Sequence, residues 1–269
     1  MTERPKIAFV CHDDETLNRH ILPAWAAGFA DVVGIVAIRE SATVKRRRIR
    51  AEARRVGLLR LLDVLAFRLY YQLTLAKEDR AWERRELKRL AAIWQDRPGP
   101  VPVCVTANPN EPQVGEFLRS CAPDLVIARC KWLLRKEIYS IARLGTFVLH
   151  PGICPEYRNS HGCFWALANR DLSKVGLTFL KIDDGIDTGP VYAYFSYPFD
   201  ECAESHIRIQ HRMVTENLNG IRQTIEKLVR QQLSALDTKG RVSKNWGQPW
   251  LSKYVQWKRA ANTSAQTCR

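Results

Sequence analysis

Short apolar runs separated by helical segments dominate the first two hundred residues of the chain. Runs rich in Val and Ile with little polar alternation are typical of strands that are buried on both faces of a sheet. They predict strands at 6–11, 32–38, 101–106, 124–130 and 146–150. Because helical segments fall between them, we expect an α/β fold with a doubly wound, mostly parallel sheet.

The pattern changes in the later part of the chain. Two runs, 175–183 and 191–197, alternate more between apolar and polar residues, which favours antiparallel or solvent-facing strands. Helices are predicted at 15–28, 115–121, 136–145, 164–169 and 205–236. We expect Pro23 to kink or delay the first of them, Gly145 to end the third and Gly220 to bend or interrupt the last.

A basic helical segment at about 43–97 does not fit this alternation and is predicted to be an insertion between the second and third strands. Six of its leucines fall at helical spacing: Leu58, Leu61, Leu62, Leu65, Leu69 and Leu73. Arg60, Asp63 and Arg68 interrupt this run, so we do not expect it to cross a membrane. Three interpretations stay open: a helix packed on the domain with a solvated basic face, a contact with an anionic membrane, or the less favoured contact with RNA.

Composition adds a strong positive charge. The 42 Lys and Arg against 28 Asp and Glu give a formal net charge of +14, which favours an anionic partner. The eight cysteines form no CxxC pair and no HExxH motif occurs, so neither a disulfide framework nor a metal site is predicted. The charged first residues do not resemble a signal peptide. We therefore expect free thiols and a cytoplasmic protein, with peripheral membrane attachment as an option.

Two polar loops next to predicted strands carry the candidate chemistry. His150 ends the strand at 146–150, and the loop IDDGIDTGPVY (182–192) comes after the run at 175–183. Either feature alone has a plain explanation, because core histidines are common and aspartates beside glycines form turns. Ligands of doubly wound sheets bind at the carboxyl ends of strands, so the two loops together favour a general acid–base pair of histidine and carboxylate.

The residues around these loops resemble the folate-dependent formyltransferases, whose members formylate initiator methionyl-tRNA, glycinamide ribonucleotide or nucleotide-linked amino sugars. The resemblance lies in RCKWLLRKEIYSIARLGTFVLHPGICPEYRN (129–159) and resumes over 175–191, which ends in GIDTGPV. The family pattern is a strand ending in Asn-x-His, a loop with an aromatic-Arg-Gly element, and a Gly-hydrophobic-Asp-Thr-Gly loop. We therefore expect a Rossmann-type catalytic domain over 1–200, with a helix and an aromatic, basic tail packed on it over 201–269.

The resemblance also implies roles for single residues. His150 and Asp187 match the family's catalytic histidine and aspartate, and 10-formyltetrahydrofolate is implied as the formyl donor, without a metal. Six residues match the walls of the donor pocket: Trp132, Leu133, Leu134, Asp183, Gly185 and Ile186. Four more match the loop that would contact the substrate or a developing oxyanion: Tyr157, Arg158, Asn159 and His161.

One departure from the family pattern bears on activity. Val148 occupies the position of the family's asparagine, which helps to hold the formyl oxygen, and valine cannot donate a hydrogen bond. Asn159 or His161 is the candidate to supply the missing donor. If neither does, the chain is a catalytically impaired or non-catalytic homologue.

The acceptor is predicted from the C-terminal segment, which lies beyond the last predicted strand. This segment leaves little room for the barrel that the tRNA enzymes carry after their catalytic domain. We therefore expect a primary amine on a small, anionic molecule such as a nucleotide-linked amino sugar, and rank methionyl-tRNA second. Hydrolysis of the donor's formyl group and formation of a homodimer both stay open.

Overall fold

Nine strands lie in the part of the chain that this computed structural model describes, residues 4–94 and 100–267. They are β1 (Lys6–His12), β2 (Asp31–Ile38), β3 (Val103–Thr106), β4 (Leu125–Arg129), β5 (Gly145–Pro151), β6 (Arg158–Asn159), β7 (Leu177–Lys181), β8 (Val191–Phe195) and β9 (Asn245–Trp246). Seven form one sheet in the order β3-β2-β1-β4-β5-β7-β8. The first five are parallel, whereas β7 is antiparallel to β5 and β8 to β7. The predicted doubly wound, mostly parallel sheet is confirmed.

Helices flank this sheet on both faces. They are α1 (Leu22–Ala26), α2 (Ala42–Val56), α3 (Leu58–Tyr70), α4 (Ala76–Ile93), α5 (Pro112–Cys121), α6 (Lys136–Tyr139), α7 (Gly162–Ala168), α8 (His206–Thr215), α9 (Leu218–Val229) and α10 (Leu251–Thr267). Apolar residues of the two sheet faces join two separate cores: Phe9 and Phe147 belong to one, and Val10 and Val126 to the other. The strands are therefore buried on both sides, which explains their continuous apolar runs.

Two predicted helices have different bounds. Segment 15–28 is a π-helical turn, Leu17–Ile21, and then α1, with Pro23 in the first turn of α1. A proline is tolerated there because the first helical N–H groups have no acceptor within the helix. The helix predicted at 136–145 is only α6, and Gly145 begins β5 instead of ending a helix. Gly145 has a φ of 108°, and a Cβ there would lie 2.3 Å from Cε of Lys181.

The helix predicted at 205–236, with a bend or interruption near Gly220, differs from the structure in where the break lies and in where the helix ends. It is two helices, α8 and α9, and the second ends at Val229. The break lies at Asn217, whose side-chain amide donates to the carbonyl of Met213 (2.9 Å), the acceptor that its backbone N–H would use in a continuous helix. Gly220 lies inside α9, where a Cβ would be 2.9 Å from Cε1 of Phe195 on β8.

The insertion consists of α2, α3, a π-helical turn (Tyr71–Leu75) and α4, between β2 and β3 as predicted. Residues 95–97 of the predicted range lie outside the described residues. The insertion packs on the domain, as in the first interpretation, but not through the exposed leucines of α3. Val64 and Phe67 are buried, and the Phe67 ring lies 5.3 Å from that of Tyr254 on α10, while Leu62 and Leu69 are exposed.

The C-terminal segment packs on the sheet domain through its aromatic residues. Trp257 of α10 is fully buried in the larger core. The rings of Trp246 and Trp250 lie 4.7 and 5.0 Å from the ring of Trp165 on α7. Strand β9 pairs with β6, which ties the tail to the loop after β5.

Three expectations concern features other than the sheet. The seven cysteines within the described residues are free thiols, and Cys268 lies outside that range. In the same part of the chain, no three His, Cys, Asp or Glu side chains are grouped so that they could hold a metal ion. Among the helices described there, none combines the length and apolarity that crossing a membrane requires.

The packing of α3 gives a stability prediction with a matched control. Phe67→Ala should lower the free energy of unfolding by about 3–5 kcal/mol, because it leaves a cavity among buried rings. Leu69→Ala should change it by less than about 0.5 kcal/mol, because Leu69 is 61% exposed. Urea unfolding monitored by circular dichroism measures both values. Equal effects of the two substitutions would contradict this orientation of α3.

Candidate active site

His150 lies near the carboxyl end of β5, with its side chain buried. Its Nε2 donates to the backbone carbonyl of Tyr157 at 2.8 Å, and its Nδ1 lies 3.4 Å from Oδ2 of Asp187. Burial is the largest single influence and acts to lower the pKa of His150, but the Asp187 carboxylate, Cys154 and the Tyr157 carbonyl together outweigh it, and the pKa is raised from 6.5 to about 10. The ring is therefore an imidazolium at neutral pH, with its second proton on Nδ1.

Asp187 reaches this histidine by a path that the sequence interpretation did not foresee. Since β7 is antiparallel to β5, its last residue Lys181 pairs with Phe147, and Thr178 pairs with His150. The strand end that precedes the aspartate loop is therefore not beside His150. The loop over 182–190 starts near the amino end of β5, where the backbone N–H of Ile182 donates to the carbonyl of Thr146, and returns to His150.

Local contacts hold the loop in this return path. Oδ1 of Asp183 accepts from the backbone N–H of Gly185 (3.0 Å) and from the hydroxyl of Thr188 (2.7 Å). A Cβ at Gly189 would lie 1.9 Å from the carbonyl oxygen of Lys181, so only glycine fits there. Asp183, predicted to bind the donor, thus also closes the turn.

Two residues of β6, Arg158 and Asn159, hold Asp187 in position. The backbone N–H of Asn159 donates to Oδ2 of Asp187 at 2.8 Å, and the guanidinium of Arg158 donates to the carbonyl of Ile186 at 2.7 Å. Asp187 itself has a φ of 51°, in the left-handed region. Asparagine and aspartate tolerate this region better than most residues, which suits a carboxylate at the turn.

A cavity of about 590 Å³ opens beside this pair, a size that suits a small-molecule ligand. Its lining includes His12 at the end of β1, Arg129 at the end of β4, and His150. β1 lies between β2 and β4, so the cavity occupies the point where the strand order reverses, the usual ligand site of a doubly wound sheet.

All six residues predicted for the donor pocket line this cavity: Trp132, Leu133, Leu134, Asp183, Gly185 and Ile186. Leu133 and Ile186 expose large apolar surfaces, whereas Leu134 is buried in the core beneath them. The two segments therefore offer an open apolar slot next to His150, of the kind that holds a flat ring.

The four residues predicted for the substrate loop divide into two pairs. Asn159 and His161 line the cavity, whereas Tyr157 and Arg158 are not part of its wall. Tyr157 supplies the carbonyl that fixes the His150 ring and donates its hydroxyl to Asp171. Tyr157 and Arg158 help to hold the loop in place, Tyr157 through Asp171 and Arg158 through the carbonyl of Ile186.

The side chains of Asn159 and His161, the two candidate hydrogen-bond donors, differ in whether they are free to contact a ligand. The side-chain amide of Asn159 donates to the backbone carbonyl of Trp246 at 2.7 Å, so it is used by the tail. His161 has Nδ1 3.4 Å from Nε2 of Gln210. Burial, with the cations of Lys131 and Arg68, lowers the pKa of His161 to about 4. The ring is therefore neutral, and with Nδ1 accepting from Gln210 its proton lies on Nε2.

Val148 lines the cavity two residues before His150 and packs against the second core. It offers no polar group to a ligand.

Two more charged residues line the cavity: Arg129, which begins the segment 129–134 that resembles the donor-pocket wall, and Glu83, which the sequence interpretation missed. Arg129 is half-buried and donates to Oδ1 of Asn18 (3.0 Å) and to the carbonyl of Leu149. Glu83 comes from α4 of the insertion and lies 3.8 Å from Nδ1 of His211 on α8. Arg129 could be found from the sequence, because it is a charged residue at the end of a buried parallel strand. Glu83 could not, because no local pattern distinguishes it from the other acidic residues of a charged helix.

Comparisons with known proteins agree with this arrangement. The family model described as Formyl transferase matches residues 85–225. A methionyl-tRNA formyltransferase of Thermus thermophilus is 28% identical over 188 residues, which are 68% of this chain and 59% of that protein. The chain thus spans less than two thirds of the length of this curated relative.

Solved structures share the fold at low sequence identity. A phosphoribosylglycinamide formyltransferase from Anaplasma phagocytophilum superposes with a TM-score of 0.56 at 10% identity, covering 90% of this chain and 98% of that one. A sugar N-formyltransferase from a Shewanella species has a TM-score of 0.55 at 12% identity, covering 95% and 87%. At such identities the likeness concerns the fold.

The ion pair gives a prediction about protonation. Asp187→Asn should lower the pKa of His150 from about 10, because burial is then opposed only by Cys154 and the Tyr157 carbonyl. Asp184→Asn, in the same loop but hydrogen-bonded to the hydroxyl of Tyr139, is the control and should leave that pKa unchanged. NMR titration of the histidine side chains measures both.

The same shift makes stability depend on pH. A histidine whose pKa rises on folding stabilises the protein below pH 6.5, and this contribution is lost as the pH rises through about 10. The free energy of unfolding should therefore fall over this range in the unaltered protein. The fall should be smaller in Asp187→Asn, and an unchanged slope would show that the pair does not control the proton.

Proposed function

The chain belongs to the formyl transferase family, and from this premise we propose that it transfers a formyl group from 10-formyltetrahydrofolate to a primary amine. The observation that carries the proposal is the buried His150–Asp187 pair at the wall of a cavity with an adjoining apolar slot. A proton-donating imidazolium and a carboxylate side by side are the groups that amine acylation requires.

The residues of the slot fit the donor. 10-Formyltetrahydrofolate supplies a formyl carbon that is bound to nitrogen and carried on a flat pterin-containing molecule. Leu133 and Ile186 would contact the ring system with their exposed apolar surfaces, and Trp132 lies in the same wall. Such a slot favours a flat ring and excludes water from the reacting end.

His150 and Asp187 would divide the proton movements between them. The contact of Nε2 with the carbonyl of Tyr157 fixes the imidazolium ring, which leaves Nδ1–H for the negative charge that develops on the formyl oxygen. Asp187 keeps the ring charged and is the base near Nδ1 for the proton that the attacking amine loses. That proton balances the one gained by the folate nitrogen on release.

We further propose that His161 replaces the donor that Val148 lacks. Its neutral ring lines the cavity, and the contact with Gln210 leaves the Nε2 proton for a ligand. Asn159 is the weaker candidate, because its amide already donates to Trp246.

The acceptor that we propose is a small molecule with a primary amine and an anionic part, such as a nucleotide-linked amino sugar. Cations and carboxylates both line the cavity outside the apolar slot. Arg129 and Lys131 would attract the anionic part, and Glu15 and Glu83 would attract the ammonium form of the amine. The donor itself carries carboxylates, so the strongly basic chain suits it also.

Methionyl-tRNA is the second candidate, and the identity to methionyl-tRNA formyltransferases favours it. The two acceptors differ in the response to salt. Turnover with a tRNA should fall steeply as salt rises, because contacts with several phosphates release counterions and added salt opposes that release, whereas a small acceptor should respond weakly.

The proposed activity has a direct test. The purified protein should bind a stable analogue of 10-formyltetrahydrofolate in calorimetry and should formylate an amino-sugar nucleotide. His150→Asn and Asp187→Asn should each lower kcat by about a hundredfold to ten-thousandfold, because each removes a proton-transfer group. Asp184→Asn is the matched control in the same loop and should retain kcat.

Other outcomes separate the alternatives. Binding of the analogue without transfer to either acceptor would indicate a non-catalytic homologue, and release of formate without an acceptor would indicate a hydrolase. A folded protein that does not bind the analogue would overturn the proposal.

The role of His161 can be tested by removing its side chain and then placing a hydrogen-bond donor at position 148 instead. His161→Ala should lower kcat by about a hundredfold, the usual effect of losing one oxyanion donor. Adding Val148→Asn to this variant should restore much of the loss, since asparagine occupies that position in the family pattern. His20→Ala, at an exposed histidine outside the cavity, is the control and should leave kcat unchanged. If His161→Ala has full activity, another group holds the oxygen.

A further inference from the structure

Four leucines form an exposed stripe along the outer side of the insertion. Leu62, Leu65 and Leu69 lie on α3, and Leu73 lies in the π-helical turn after it. Their exposed fractions are 63%, 44%, 61% and 76%. Single exposed leucines are common on protein surfaces, but a continuous row at spacings of three and four residues marks a contact surface. We call these four residues the leucine stripe.

The opposite side of α3 is already occupied, so the helix cannot turn the leucine stripe inward. Both carboxylate oxygens of Asp63 accept from Ser252, at its backbone N–H and its hydroxyl. The ring of Phe67 lies 5.3 Å from that of Tyr254, and the guanidinium of Arg60 lies 5.2 Å from the centre of the Trp250 ring. These three residues of α3 face α10 and the segment before it.

The inserted segment that carries the leucine stripe is strongly basic. Residues 42–94 hold 15 Lys or Arg against six Asp or Glu, so this fifth of the chain carries most of its excess positive charge. The preceding helix, α2, contacts α3 and exposes four arginines: Arg46, Arg47, Arg50 and Arg54. An apolar row next to a row of arginines is the pattern of helices that lie in the surface of an anionic bilayer.

The positive charge of the insertion distinguishes between the partners that could cover the leucine stripe. A second copy of this chain would bring two basic helices together, and like charges at an interface oppose association. A nucleic acid would match the arginines but would leave the leucines in water. An anionic bilayer satisfies both, since its headgroups attract the arginines and its acyl chains accept the leucines.

We propose that α2 and the leucine stripe dock this protein on the surface of an anionic phospholipid bilayer. The helices would lie in the plane of the interface, with the leucines about 5–10 Å deep in the headgroup and acyl boundary. The contact is peripheral, in keeping with the absence, among the helices described, of one that could span a membrane. The inference is independent of the proposed formyl transfer.

Vesicle sedimentation tests the docking. The full chain is mixed with vesicles of phosphatidylcholine containing about 30 mol % phosphatidylserine, an anionic surface like the cytoplasmic leaflet. Binding should be at least tenfold stronger than to pure phosphatidylcholine and should weaken as salt rises. Equal binding to both vesicles, or no binding by the folded protein, would overturn the proposal.

Two sets of variants separate the apolar and the charged contributions. Leu62→Ser with Leu69→Ser should weaken binding more than tenfold, because two side chains no longer leave water. The matched control, Leu236→Ser with Val242→Ser, changes two exposed apolar residues elsewhere and should have no effect.

The arginine variants use the same design. Arg46→Gln, Arg47→Gln and Arg50→Gln together should weaken binding about fivefold per charge. Lys227→Gln, Arg230→Gln and Lys239→Gln remove the same charge from exposed positions elsewhere and should have a much smaller effect.

A measurement without lipid tests whether a second copy of the chain covers the leucine stripe. Sedimentation velocity should show the same monomer for the unaltered protein and for Leu62→Ser with Leu69→Ser. A dimer that these substitutions dissociate would mean that another copy covers the leucine stripe, and the proposal would fail. Circular dichroism shows whether each variant is folded; since the changed residues are exposed, all should be.

Discussion

The buried ion pair of His150 and Asp187 is the interaction on which the site and its surroundings depend. A buried imidazolium is costly unless a carboxylate lies close to it, so the structure must keep Nδ1 and Oδ2 within 3.4 Å. The backbone N–H of Asn159 holds the carboxylate. Gly152 makes room for the carbonyl that fixes the ring, since a Cβ there would lie 2.6 Å from the oxygen of Tyr157. Gly152 and the loop that contains Asn159 therefore hold His150 and Asp187 in position.

The insertion and the tail depend on each other and on the loop that carries the site. Phe67 on α3 packs against Tyr254 on α10, and β9 pairs with β6. Through this pairing the tail accepts the side-chain amide of Asn159. The tail thus takes one of the two side chains that could replace the asparagine missing at Val148. His161 is then the side chain that can still donate to a ligand, and Gln210 of α8 orients its ring.

Two surfaces of the insertion have different uses. Its inner side completes the cavity, because Glu83 on α4 forms part of the wall and lies near His211. Its outer side carries the leucine stripe and the arginines of α2. The same inserted helices therefore connect the proposed acceptor side of the cavity with the proposed docking surface.

The sequence by itself determined the features that rest on neighbouring residues. Buried parallel strands require continuous apolar runs, and the residues around His150 and Asp187 lie within two short motifs. Only the tertiary structure decided which side of α3 is buried, because helical spacing shows that leucines share a face but not what lies against it. That depended on Tyr254, which is far away in the chain. Glu83 and Gln210 entered the cavity in the same way, through helix packing that no local pattern encodes.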